Sequence, residues 1–562
     1  MKFVMTTAMT PTHVEMSGDQ HEHEGCLYYA ARDGHPAPLG NAVRVRRLPR
    51  AAGQVQVASL PAIDEGASSW PAGEGIAIVS REYAHAEPEI LLGRERFGRV
   101  DESCSMADPA SCKSPPAVPM AYALGGVVRG EAVGGPPERM TLVEALEHTA
   151  RSAPADHGIT FARRAAGSGD AEGGRTTTTT SIFESYAELL RNARHMLGGL
   201  RRLGVQQGNV VALQLSEPAE HLHALWACAS GGFPSVTVAI APKLVASNAV
   251  AAKLLAAVSQ LGAKHLLSTD ALTSPLRALL PLDVSILALR DIQAASDAAA
   301  RDSPRSQLPA ALSGGDVVFY QLTSGSTGVP KAIPETHRAI IAHIRSAAQC
   351  CGWDAADVTL NWLPFDHVVP MITCHLTDVY FGRRAVQLPT SDVVDDPLLW
   401  LRTMARWRVT HSWSPNFGFK LVAAALRAPV EPVPPLDLRS VKRLMNAGEQ
   451  VTTEVCDAFL RATGLPRDVM QPAFGMAECC TCISYHDEFA ACAAVRVLKS
   501  SLQAATLQLA PDDSASQIDS ASQIDSASQV ASFVDLGPPV PGVEIRIVAP
   551  ARPGTGGAEG GG

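Results

Sequence analysis

Charge is scarce in this chain of 562 residues: Asp, Glu, Lys and Arg make up 18%, and aromatic residues only 5%. The 47 basic and 56 acidic side chains leave a net charge of −9. No basic block interrupts the sequence, which excludes a nucleic-acid binder held by phosphate neutralisation. No run of about 18 uncharged apolar residues occurs, so no membrane span is expected. The start, MKFVMTTAMTPTHVEM, lacks the apolar core of a secretory signal. A cytoplasmic protein is the expectation.

Metal-ligand spacing is missing too. The 12 cysteines are scattered, and Glu478-Cys479-Cys480-Thr481-Cys482 has no matching Cys pair or partner His at zinc-site spacing. They are expected as reduced thiols packed like small apolar residues. His21, His23 and Cys26 sit in a polar stretch that reads as an exposed tail.

Apolar residues, by contrast, reach 46%, enough for a sizeable core, and the length suggests three to four domain-sized units. Residues 1–138 are irregular, with a short buried strand expected at Ile76–Val79 and a linker over 103–119. Order begins near residue 139. Leu142, Val143, Leu146 and Thr149 recur at helical spacing, and Ile159–Phe161 reads as a strand. Residues 167–174 read as a loop, and Thr176–Thr180 favours extended backbone. Ser185 and Glu188 form a capping-box pattern before an amphipathic run over 189–200, which Gly204 closes. Val210–Leu213 is a buried strand and 219–231 a helix. Such alternation predicts an α/β fold with a mostly parallel sheet. Near the end, a hexad repeats three times over 513–530 (DSASQI, DSASQI, DSASQV) and reads as a low-complexity insertion.

The strongest local signal is Leu322-Thr323-Ser324-Gly325-Ser326-Thr327-Gly328-Val329-Pro330-Lys331. An apolar strand precedes it at Val317–Phe319, and a helical run follows over 339–348. Glycines let the backbone approach an anion closely, and consecutive amides form an anion-binding nest. With its hydroxyls and one ammonium, the loop suits a polyphosphate. It is not a Walker A loop, because Pro330 precedes Lys331 and Ala332 follows.

This loop resembles the signature of the adenylate-forming enzymes, among them acyl-CoA ligases, peptide-synthetase adenylation domains and fatty-acyl-AMP ligases. Further motifs follow in order. Leu363-Pro364-Phe365-Asp366-His367 resembles the LPxxH segment, and Ser414-Pro415-Asn416-Phe417-Gly418-Phe419 a stretch of the fatty-acyl-AMP ligases. Asn446-Ala447-Gly448-Glu449 is similar to the turn along the adenine, and Phe474-Gly475-Met476-Ala477-Glu478 to YGxAE. Gly537–Gly542, with Ile545–Val548, completes the series.

The resemblance covers residues 139–548 and implies the family's large domain: layered α/β subdomains plus a small β-barrel. A flexible end is expected over 549–562, and the small C-terminal domain is absent: neither its preceding TGD motif nor its lysine is found. It implies ATP and Mg²⁺ as cofactors. A carboxylate oxygen attacks the α-phosphorus of ATP, pyrophosphate leaves, and the acyl group passes to the phosphopantetheine thiol of a carrier protein in polyketide or nonribosomal peptide assembly. By the same resemblance Lys331, Glu478 and Thr327 are catalytic, with Glu478 and Thr327 on the metal. Thr323, Ser324, Gly325, Ser326, Gly328, Gly448, Glu449, Phe474, Gly475 and Met476 hold the nucleotide. His367, Trp413, Asn416 and Phe417 belong to the acid pocket, with Met371 and Cys374 in its apolar wall. Phe474 stands where Tyr is more usual and keeps a ring for stacking but no hydroxyl. Two other readings stay open: an acyl-CoA ligase, and a non-catalytic nucleotide-binding or docking module. The chain alone is expected to bind ATP or acyl-adenylate but to adenylate poorly.

Overall fold

In this computed structural model the described residues are 127–164 apart from 136 and 138, 179–323, 330–429, 434–486, 489, 494–502, 507–508 and 530–546, with four two-residue strands before residue 76. The expected strand at Ile76–Val79, the loop 167–174, the repeat 513–530 up to Gln529, and the end 549–562 lie outside them.

The chain divides into two compact units. One comprises residues 133–490 and 536–541. It opens with α1 (Leu142–Ser152), whose N-cap Thr141 forms a reciprocal box with Glu144. Strands β1 (Gly158–Arg164) and β2 (Thr179–Ser185) follow as an antiparallel pair. Ser185 then caps α2 (Tyr186–Arg202) through the expected box with Glu188, and Gly204 lies just past its end at φ +92°.

A six-stranded sheet comes next. Its strands are β3 (Val211–Gln214), β4 (Ser235–Thr237), β5 (His265–Ser268), β6 (Ser285–Ala288), β7 (Val317–Thr323) and β8 (Lys331–Thr336). Their order is β6-β5-β3-β4-β7-β8, parallel except for the β7–β8 hairpin at the edge. Helices α3 (Pro218–Gly231), α4 (Ala249–Leu261), α5 (Asp270–Leu279) and α6 (Leu289–Asp302) connect and cover it. The two-residue strand period decides which side chain meets which helix. Val211 and Leu213 join the cluster with α2, α3 and α6, whereas Ala212 between them joins the cluster with α4 and α5. Both faces are thus covered, as a parallel sheet requires. Where α2 crosses α6 the backbones nearly touch: a Cβ on Gly199 would lie 2.2 Å from Ser296 Oγ and 2.6 Å from Ile292 O.

Helix α7 (His337–Cys351) leads into a second, eight-stranded sheet. It adds β9 (Val358–Asn361), β10 (Arg384–Gln387), β11 (His411–Ser414), β12 (Arg443–Asn446), β13 (Met470–Gly475) and β14 (Cys482–Tyr485) to β1 and β2. The order is β14-β13-β12-β11-β9-β10-β1-β2, parallel from β13 to β1 and antiparallel at both edges. A π-helix at Val369–Leu376 runs straight into α8 (Thr377–Phe381). Helices α9 (Thr390–Asp395), α10 (Leu398–Trp407), α11 (Asn416–Arg427) and α12 (Thr453–Thr463) complete this half. Trp400 is fully buried among Trp362, Phe419 and Phe459, its indole N–H on Ser412 Oγ at 2.9 Å. The 536–541 segment lies beside β14, with Val540 N on Ile483 O and Pro541 O accepting from Ser346 Oγ.

The other unit comprises residues 1–132, 491–535 and 542–562. Where a small barrel is expected, its described strands form an antiparallel three-stranded sheet (Ala30–Ala31, Val543–Arg546, Val127–Arg129) and three separate antiparallel pairs: Ala494–Leu498 with Val530–Val534, Gln54–Val55 with Leu507–Gln508, and Ala58–Ser59 with Glu74–Gly75. Among the described residues no helix is long and apolar enough to cross a membrane.

Candidate adenylation site

Four of the sequence motifs fall at one edge of one sheet. Asn361-Trp362 follows β9, Ser414-Pro415-Asn416 follows β11, Asn446–Glu449 follows β12, and Gly475–Glu478 follows β13. These are four neighbouring parallel strands, and each motif sits at its strand's carboxyl end. In open α/β sheets that end is where ligands bind.

The loops there are tied to one another by polar side chains. Asn446, fully buried, donates from Nδ2 to Asn416 Oδ1 at 3.1 Å and to Cys456 Sγ at 3.4 Å. Asn416 also accepts from Thr452 N at 3.3 Å and donates to Thr452 Oγ1 at 3.3 Å. Helix α11 has Pro415 at its N-cap and no cap of its own, so Glu449 supplies one: Phe417 N donates to Glu449 Oε1 at 2.6 Å. A carboxylate at a helix N-terminus is favoured by the unpaired amides and the helix dipole. Glu449, read from the sequence as a nucleotide residue, therefore holds α11 to the turn after β12.

The β7–β8 hairpin carries the ends of the phosphate loop. Thr323 pairs with Lys331 as the last rung of the register. Ser324, Gly325, Ser326 and Gly328, predicted to bind nucleotide, and Thr327, predicted to be catalytic and on the metal, lie outside the described residues. Lys331 is exposed and Thr323 half-buried. Gln321 of β7 donates from Nε2 to Asp366 O at 2.6 Å, which joins this hairpin to the LPFDH segment.

Glu478 lies in a tight turn between β13 and β14, half-buried like Phe474, Gly475 and Met476. Gly475 is required there: a Cβ would lie 2.1 Å from Thr481 O. Buried beside this turn is Glu335 of β8, 1% exposed. Burial drives its carboxyl up to about 8; the Cys480 thiol bonded to it opposes the shift and the charge of Glu478 adds to it. Burial likewise pushes the Cys482 thiol up to about 12.

On the acid side, His367 is exposed, and Phe417, 43% exposed, meets Trp362 edge-on at 6.0 Å. Trp413, Met371 and Cys374 are buried, and Trp413 packs edge-on against Tyr485. Gly448 is exposed at φ +90°. Sequence reasoning missed Glu335, Thr452 and the backbone of Cys480. An acidic residue in step with Ile333 on β8 was the available signal for the first. Among the described residues no group of three or more His, Cys, Asp or Glu is arranged to hold a metal ion. One hard carboxylate, Glu478, fits Mg²⁺ that takes its other oxygens from phosphates and water.

Residues 168–560 match the family model for AMP-binding enzymes. The chain belongs to this family. Among curated relatives it is similar to atromentin synthetase greA of Suillus grevillei, 27% identical over 380 residues, covering 66% of this chain and 35% of that protein. The chain thus spans about a third of the length of the curated relatives it matches. Among solved structures it is similar to the adenylation domain of a keto acid-selecting NRPS module bound to keto acyl adenylate, at 26% identity and TM-score 0.60, covering 74% of this chain and 72% of that one. It shares its fold with a fatty acyl-adenylate ligase from L. pneumophila, at 20% identity and TM-score 0.58, covering 72% and 64%. The α/β unit is accordingly the large domain of an adenylate-forming ligase, an AMP-binding enzyme of a family that uses ATP.

Proposed function

We propose that this AMP-binding domain activates a keto acid as its acyl-adenylate for transfer to a phosphopantetheine carrier. The observation that carries the proposal is the convergence of four motifs at the carboxyl ends of β9, β11, β12 and β13. In this reading Lys331 meets ATP phosphates as a point charge, and Glu478 holds Mg²⁺. Phe474 stacks on the adenine, and Phe417, packed on the buried Trp362, presents an aromatic ring to the acid. The domain's contribution is to hold carboxylate and α-phosphorus in line and to stabilise the charge that develops between them. The 26% identical neighbour bound to keto acyl adenylate supports the acid class.

Binding of acyl-sulfamoyladenosines tests this by calorimetry on the whole chain, with keto, amino and fatty acyl groups compared. The keto analogue is expected to bind tightest, and Lys331→Ala and Glu478→Ala to weaken MgATP. Tighter binding of an amino or fatty acyl analogue overturns the acid class, and no binding of any overturns the adenylate reading.

A further inference from the structure

The four motifs gather at the carboxyl ends of their strands. At the opposite end of the same sheet lies an open cavity of about 1160 Å³, roomy enough for a small molecule. It sits where three neighbouring strands begin. His157 precedes β1, Gly382 precedes β10 and Trp353 stands five residues before β9, and all three line the cavity.

Its walls are tied down. Thr149 of α1 donates from Oγ1 to Val379 O of α8 at 2.7 Å, and His157 donates from Nδ1 to Gly382 O at 2.6 Å. The chain before α1 is laced to α7. Gly134 N donates to Gln349 Oε1 at 3.1 Å, and Arg345 donates to the carbonyls of Gly134 and, at 2.6 Å, of Gly135. The guanidinium of Arg139 rests over the Tyr380 ring, 5.4 Å from its centre. Groups held in this way are pre-organised for a ligand, which lowers the entropy lost on binding.

The charge around the space is one-sided. Arg139, Arg345 and Arg384 bring three guanidinium groups to it, and Asp156 is the single acidic residue among the described lining residues. Arg384 is exposed, and neither it nor Arg345 forms an ion pair among the described residues. A space of this volume is roughly 10 Å across, about one Debye length, so the three charges feel one another. Pinning two backbone carbonyls requires a donor at Arg345, but it does not require three cations on one cavity. Beside them stand the rings of Trp353, Tyr380 and Phe381. Guanidinium groups meet carboxylate and phosphate oxygens through paired N–H bonds, and the rings suit a flat apolar body.

We propose that this cavity is a ligand site separate from the adenylation site, and that it takes a small aromatic anion: a phosphate or carboxylate head held by the arginines, with a flat ring against the aromatic wall. It lies at the amino ends of the strands and does not depend on how the carboxyl ends are read.

Calorimetry on the full chain tests this with 1-naphthyl phosphate and 2-naphthoate as probes, and with the neutral 1-naphthol and inorganic phosphate for comparison. At least one anionic probe is expected to bind, with saturating MgATP present as well as without it. Naphthol and inorganic phosphate are each expected to bind at least about tenfold more weakly, because one lacks the charge and the other the ring. Arg384→Glu is expected to weaken the anionic probe at least about tenfold, which is what one charge-assisted hydrogen bond contributes. Its melting temperature and MgATP affinity are expected to stay parental. If that variant does not fold, Arg384→Gln decides by the same comparison. No binding of either anionic probe at millimolar concentration overturns the proposal. So does displacement by MgATP, which would place the probe in the adenylation site, and so does equal binding by naphthol or by the folded Arg384 variant.

Discussion

Replacing Asn416 by Ala isolates the polar ties that hold the start of α11 to β12 and the segment after it. It removes three hydrogen bonds, two with Thr452 at 3.3 Å and one from Asn446 at 3.1 Å. The half-buried Thr452 groups have access to water. Asn446 does not: it is fully buried, and its Nδ2 keeps only the Cys456 sulfur, a weak acceptor at 3.4 Å. Stranding such a donor costs about 1–3 kcal/mol, and the lost Thr452 bonds add somewhat less, so about 2–3 kcal/mol is expected in total. Asn416→Asp retains both acceptor interactions, and the Thr452 hydroxyl can turn to donate, so this variant is expected to be near parental in stability. Urea unfolding reads both, with an unchanged slope and a lowered midpoint for Ala. A double-mutant cycle with Asn446→Ala is expected to show a coupling of about 1 kcal/mol. An Asn416→Ala loss below about 0.5 kcal/mol, the range of ordinary surface changes, refutes the reasoning.

Other perturbations probe other parts of the fold. Gly475→Ala places a Cβ 2.1 Å from a backbone oxygen that cannot swing away, so MgATP binding is expected to disappear; calorimetry showing parental affinity would contradict the turn geometry. Trp400→Phe loses the bond to Ser412 and part of a packed ring, and should cost about 2 kcal/mol by denaturant titration. Stability should also peak near pH 6.5. Burial pushes His221, His337 and His343 down to about 4 and His375 to about 3, so between pH 6.5 and 4 the unfolded chain takes up protons these rings refuse, and acidification destabilises. Burial raises Glu335 to about 8 and Asp378 to about 7, so above pH 4 the fold keeps two protons the unfolded chain has lost, and stability falls as pH rises toward those values. Unfolding then takes up about two protons near pH 5 and releases about half a proton between pH 7 and 8. A denaturation midpoint that is flat from pH 5 to 8 would rule this out.

Local signals carried far into the structure. The Ser185–Glu188 box, the buried strand Val211–Gln214 and the helix after residue 217 are encoded within a few residues of themselves, and the fold has them nearly as read. The motifs fall together in the fold because each ends a strand of the same sheet. What escaped depends on contacts between distant segments. Glu449 caps a helix 32 residues before it, which no spacing rule encodes. Glu335 is buried although its polarity argued for the surface. The positive φ of Cys480 is imposed by neighbours rather than by a glycine or asparagine in the sequence.

The antiparallel β1–β2 pair has a bearing on how the chain is born. The eight-stranded sheet opens with strands synthesised before the whole six-stranded sheet, and β1 finds its parallel neighbour β10 only much later. His157, at the head of β1, meets Gly382 across 225 residues of sequence. At about 5–20 residues per second of synthesis, that interval lasts roughly 10–45 s. During it β1 has one partner, the local strand β2, and its other edge stands open. An unpaired edge invites pairing with other chains. The early hairpin halves that exposure, so the strand that terminates the finished sheet also shields the nascent one.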